Sequence, residues 1–193
     1  MSVFIPDFKK ALNKNFYKRD TETVARDLIG KILIRKLGNG DTLTARIIET
    51  EAYLSEGDLA SHSANGKSKR NAAMFEEGGI IYIYKIYGIH HCVNIVTGTA
   101  GKGCAVLLRG LEPLSGIETM LRLRETNQIK SLCKGPGNVA KAFGFKPEDN
   151  FKSIIGENLF VQETENNIPE IICTKRIGIT KSPEHLLRFI IKN

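Results

Sequence analysis

From Arg46 to Asn94 the sequence RIIETEAYLSEGDLASHSANGKSKRNAAMFEEGGIIYIYKIYGIHHCVN gathers side chains that a pocket gripping a flat, electron-poor ring beside a strand of phosphates would use. It holds an acidic pair (Glu49, Glu51), four of the five tyrosines, three of the four histidines and the basic run Lys67, Lys69, Arg70. Carboxylates two residues apart on a strand share a face and suit general acid–base work. Tyr53, Tyr82 and Tyr84 offer ring faces that attract an electron-poor or cationic ring. Tyr87, beside Gly88 at a hairpin tip, is placed like a wedge that offsets the cost of unstacking a base. Each group also has a plainer reading: solvated strand-edge charges, sheet-forming aromatics, a solvated loop. Their concentration in one stretch favours chemistry.

Other chemistries lack their residues. Gly98–Gly103 has neither the first glycine nor the closing hydroxyl residue of a phosphate-binding P-loop. His90 and His91 are consecutive and point to opposite faces of a strand, and the four cysteines form no C-x-x-C pair. No metal site is expected, and the cysteines read as reduced, mostly buried apolar residues.

The elements that must position these residues follow from turn signals and periodicity. Asp20 or Thr21 caps a helix running to about Ile29. Lys31–Leu37 and Thr42–Glu51 read as strands joined through Gly38-Asn39-Gly40-Asp41, and a regular second strand puts Ile47, Glu49 and Glu51 on one face. Asp58 caps a short helix in a polar loop, and Asn71 opens another (AAMFEE). Ile80–Tyr84 and His90–Thr97 form a hairpin. CAVLLRGLEPL is a buried strand ending at Glu112-Pro113, followed by a helix over Ser115–Thr126 and, after Gly135-Pro136-Gly137-Asn138, a short helix VAKAF. Asn158–Gln162, Ile171–Thr180 (unbroken or interrupted near Arg176) and His185–Ile190 are further strands. The order predicts an α+β fold, one domain over residues 1–193, with a curved, mostly antiparallel, open-barrel-like sheet surrounded by helices.

With 193 residues the chain can bury a core unaided, and its formal net charge of +7 favours a polyanionic partner. No apolar run approaches a membrane span, and the N-terminus is broken by Pro6, Asp7 and lysines, so an intracellular, cytoplasmic protein is expected.

The runs RIIETEAY, His62-Ser63, KRNAAMF, YIYKIYG with HHCVN, and AVLLRGLEPL resemble, in order and spacing, the alkyladenine (3-methyladenine) DNA glycosylase family, from about Tyr17 to Phe189. The resemblance implies a monofunctional, cofactor-free glycosylase that acts as a monomer on double-stranded DNA. It would excise alkylated purines (3-methyladenine, 7-methylguanine, with hypoxanthine and ethenoadenine as further substrates) in base excision repair. It casts Glu51 as the general base, with Arg109 and the Ile177 carbonyl also holding the water. Tyr53, His62 and Tyr84 would box the flipped base, Asn94 would exclude the amino group of guanine, and the backbone from Ala60 to His62 would meet the base edge. Tyr87 would fill the vacated duplex position, while Lys67, Lys69 and Arg70 would clamp phosphates. Lys85 and Leu186 stand where the family carries an apolar residue and, often, proline. Glu49 receives no role. Two alternatives stay open: a non-catalytic binder of damaged nucleic acid, and a hydrolase of free nucleosides.

Overall fold

The β-branched runs flanking Gly38–Asp41 form a hairpin: β1 (Ile32–Lys36) pairs antiparallel with β2 (Thr42–Tyr53), Ile32 opposite Arg46 and Lys36 opposite Thr42. Gly40 takes φ 90°, which lets the turn close with the Leu37 amide 2.8 Å from the Asp41 carbonyl. The computed structural model describes residues 4–86, 88–164 and 170–192. Along the chain come β3 (Ile81–Ile86), β4 (His90–Thr97), β5 (Cys104–Ser115), β6 (Ile155–Gly156), β7 (Leu159–Gln162), β8 (Ile171–Thr174) and β9 (Arg188–Ile191). They make one nine-stranded antiparallel sheet, ordered β3-β4-β5-β2-β1-β7-β6, curled into a half-barrel, with β9 paired to β2 and β8 to β9. The helices are α1 (Lys14–Tyr17), α2 (Thr21–Asp27, capped by Asp20), α3 (Ile117–Arg124) and α4 (Pro136–Ala142).

Period-two alternation gives the sheet two different faces. Ile81, Ile83, Val93, Ile95, Val106 and Leu108 turn toward α2, α3 and α4 and join Val24, Leu28, Met120, Val139 and Phe143 in the main core. Each such buried aliphatic contributes roughly 1.5–3 kcal/mol. Their neighbours Tyr82, Tyr84, Cys92, Asn94, Leu107 and Arg109 therefore line the opposite face. Part of that face is covered by the 3₁₀ turn Ala72–Phe75, through Ala73 and Met74.

Four expectations are corrected, the last two together. Ile47 does not share a face with Glu49 and Glu51: Leu43, Ala45 and Ile47 point into the core, but so do Thr50 and Ala52. The register shows why. Ile47 faces Leu111, Glu49 faces Gly110 and Thr50 faces Leu108, so Ile48 on β2 and Arg109 on β5 are each one residue in excess. Such bulges bend a strand and re-aim its side chains. Second, β5 continues through Pro113, which lies opposite Ala45. Beyond Leu107 the strand no longer has β4 beside it, and proline is tolerated on such an edge. Third, residues 54–70 contain no helix for Asp58 to cap, and β8 stops at Thr174. Asp58 and Arg176 instead pair with each other.

Candidate active site

Glu51 sits where β2 is flanked by β5 and β9, opposite Leu107 and Arg188. It is 1% exposed, yet borders a cleft of about 390 Å³ whose walls include Tyr53, Tyr84, Leu107, Arg109, Lys134 and Ile177. Its Oε2 accepts from the Tyr53 hydroxyl at 2.9 Å and its Oε1 from the Ile177 amide at 2.9 Å. Burial, the Glu51 carboxylate and the bond to it push the Tyr53 phenol well above its ordinary range, so Tyr53 stays a donor. Each carboxylate oxygen keeps a free lone-pair site for a further donor such as water.

Arg109 Nε lies 3.4 Å from Glu51 Oε1 and nearer, 2.8 Å, to Glu49 Oε1, an electrostatic contact without hydrogen-bond alignment. Arg188 Nε donates to the same Glu49 oxygen at 2.6 Å. Resemblance gives the Ile177 carbonyl a role; the contact found here is made by its amide.

That amide is placed by a buried ion pair. Arg176 and Asp58 side chains are 1% and 0% exposed and meet through two 2.7 Å bonds, and Arg176 Nη1 also donates to the Ala52 carbonyl at 2.9 Å. The guanidinium lies 4.7 Å from the Tyr53 ring centroid. Asp58 further accepts from the Leu54 and Ala60 amides at 3.0 and 3.1 Å. The Ala60 amide, expected at a base edge, is thus already occupied.

The aromatic residues meet in a second, inner cavity of about 20 Å³, room for one water, lined by Tyr53, His62, Met74, Tyr82, Tyr84 and Asn94. Tyr82 hydroxyl and His62 Nδ1 are 2.9 Å apart. Burial, then the nearby Arg70, hold His62 below its usual value, and burial pushes Tyr82 up to about 12. Asn94 Nδ2 donates to the Tyr82 carbonyl at 3.1 Å. His62 and Tyr84 stand edge to face, centroids 4.5 Å apart at 76°. A ring held between two parallel faces needs them about 7 Å apart, twice the contact distance of carbon atoms. The His62 and Tyr84 rings as they stand do not present two parallel faces with room for a flat ring between them.

Lys67, Lys69 and Arg70 are exposed on the loop beside this cavity, Arg70 donating to the Lys85 carbonyl at 3.3 Å. Asn71 pins that loop: its Nδ2 donates to the His62 and Gly66 carbonyls at 2.8 and 2.9 Å, and its Oδ1 accepts from the Ser68 amide and hydroxyl at 2.6 and 3.0 Å. Tyr87 lies outside the described residues; next to it Gly88 has φ 71° and Ile89 is 72% exposed. Among the described residues no three His, Cys, Asp or Glu side chains cluster to hold a metal, and no helix is long and apolar enough to cross a membrane.

No local signal in the sequence marks Arg176, Arg188 or the bonding of Asp58 and Asn71. A polar loop carries many such residues, and Asp58 finds its partner 118 positions away.

Residues 15–193 match the family model described as methylpurine-DNA glycosylase. Among similar proteins, one from Methanoculleus marisnigri is 46% identical over 182 residues, covering 92% of this chain and 93% of its own. One from Chlorobium phaeobacteroides is 42% identical over 178 residues (92% and 89%), and one from Clostridium beijerinckii 40% over 184 residues (90% of each). All three are provisionally named 3-methyladenine DNA glycosylase.

Proposed function

The chain belongs to the methylpurine-DNA glycosylase family, and from that premise we propose that it is a monofunctional glycosylase that flips alkylated purines out of duplex DNA and hydrolyses their N-glycosidic bond. The observation that carries the reading is Glu51, a carboxylate kept out of bulk water yet bordering a cleft shared with Tyr53, Tyr84 and Arg109.

Alkylation at N3 or N7 makes the purine a cation and a good leaving group. Glu51 takes a proton from water, the water oxygen bonds to the anomeric carbon, and the electron pair of the C–N bond leaves with the purine. Through that step the carboxylate also stabilises the oxocarbenium-like sugar. Tyrosine faces favour a cationic ring over a neutral one by about 1–2 kcal/mol. Asn94, buried and tied to the Tyr82 carbonyl, is a fixed obstacle to a base carrying an extra amino group. Lys67, Lys69 and Arg70 supply phosphate contacts, and Lys134 adds a cation at the cleft wall. Tyr87 is the wedge of this reading. Hypoxanthine and ethenoadenine are neutral substrates that would forgo the cation–π gain.

Glu51→Gln tests the assignment: release of 7-methylguanine from methylated duplex is expected to vanish while duplex binding persists. Borohydride should trap no covalent protein–DNA adduct, since water is the nucleophile. Undiminished turnover by E51Q removes Glu51 as the base.

A further inference from the structure

Glu49 is the carboxylate that this mechanism leaves without a part. Its Oε1 stands 2.8 Å from Arg109 Nε and 2.6 Å from Arg188 Nε, while the same Arg109 nitrogen is 3.4 Å from Glu51. Three independent features build the spot. The paired bulges turn Glu49 and Arg109 to the cleft face, and β9 pairs with β2 over Glu49–Glu51 and so delivers Arg188. Gly110 lies opposite Glu49, where an added Cβ would come within 3.0 Å of both its Cβ and its Oε2. A solvated surface ion pair requires none of this.

Arg109 therefore stands between two carboxylates and leans on the one that does no chemistry. Were Glu49 uncharged, the guanidinium would close on Glu51, and a carboxylate locked in a direct ion pair is a poorer proton acceptor. We propose that Glu49, anchored by Arg188, is a positioning residue that holds Arg109 off Glu51 and so leaves Glu51 free to take a proton from water. The inference rests on the reading of Glu51 as the base. The remaining titratable groups facing Glu51 are Tyr53 on its own strand, Tyr84 on β3, His90 and Cys92 on β4, Lys134 across the cleft and Arg176 after β8. None of them changes in the variants below.

Single-turnover pH–rate profiles on a duplex containing 7-methylguanine test the proposal, with wild type, E49Q, R188M, R188K and E51Q compared and folding followed by thermal unfolding. Glu51 works ionised, so the rate falls on the acid side. E49Q removes a neighbouring negative charge and releases Arg109 toward Glu51; both effects favour the ionised form and move the acid limb to lower pH, by about one unit. The plateau rate drops about tenfold or more, because the paired carboxylate accepts the proton less well. R188M removes a cation but leaves Glu49 charged, so its limb moves the opposite way, and R188K returns it to the wild-type position. Should E49Q fail to fold, R188M decides by its plateau rate, which is expected to fall once Glu49 loses its anchor and to recover in R188K; a wild-type plateau in R188M then overturns the proposal. Acid limbs that coincide with wild type, or that move the same way in E49Q and R188M, overturn the proposal while an inactive E51Q leaves the base assignment standing. An E51Q protein as fast as wild type overturns both.

Discussion

Replacing Asp58 by asparagine leaves the Arg176 guanidinium buried with no counter-charge, and the cost can be worked from the geometry. The two side chains are 0% and 1% exposed and share two 2.7 Å bonds, so solvent screens little of their interaction. Removing one partner of such a pair costs about 3–5 kcal/mol. In a chain of 193 residues each kcal/mol lowers the melting temperature by roughly 2–4 °C, giving a fall of roughly 6–20 °C for Asp58→Asn at pH 7. Arg176→Met should fall in the same range. The double variant should recover part of the sum, since no lone charge then remains. Burial works against the ionised Asp58, but the Arg176 bonds and the Leu54 and Ala60 amides outweigh it and hold the carboxyl below its ordinary range. The folded value is lowered, so the stabilisation is present above the unfolded value, near 3.9, and is lost as pH falls through the folded one. The gap between wild type and D58N should therefore be full at pH 7 and narrow only in strong acid. Calorimetric or circular-dichroism melts across pH measure both quantities. A D58N midpoint within about 2 °C of wild type at pH 7 would refute the reasoning, given the size expected for a buried pair. Excision should weaken as well, because the same pair seats the Ile177 amide on Glu51.

Two further outcomes follow from other parts of the site. His62 is held below its usual value, so its contribution to stability is present above about pH 6.5 and is lost as pH falls through the folded value. His62→Gln should flatten the loss of stability as pH falls below about 6.5, and equal slopes in the two proteins would contradict this. Asn71→Ala removes four hydrogen bonds that hold residues 62–68, for a loss of about 2–4 kcal/mol at roughly 1 kcal/mol per bond. Trypsin should then cut after Lys67, Lys69 or Arg70 much faster than in wild type. An unchanged digestion rate would mean that the loop is held by something else.

Local signals in the sequence were enough for most elements. Gly38–Asp41 marks a turn because it supplies positive φ, Asp20 precedes a helix whose first amides it can bond, and alternation in YIYKI and HHCVN assigns faces to β3 and β4. The motif residues Glu51, Tyr53, Tyr84, Asn94 and Arg109 converge on one face because that alternation holds across neighbouring strands, and the loop pinned by Asn71 brings His62 to them. Illegible features depend on partners far along the chain. An extra residue in a bulge has no composition of its own, so the shared face of Ile47 and Glu49 was a fair but mistaken inference. Asp58 has the form of a helix cap and becomes an ion-pair partner only because Arg176 arrives beside it. Pro113 reads as a strand end, and nothing local says that β5 has become an edge there.

The surplus residues in β2 and β5 carry one more consequence. Were β2 regular through all of its residues, Ile48 included, Glu51 and Tyr53 would fall in phase with Ile47 and turn inward among the helices, while Thr50 and Ala52 would line the opening. One bulged residue thus decides which side of the half-barrel bears the acid. A redesign that straightened these strands for regularity would keep every motif letter and still turn its acid into the core.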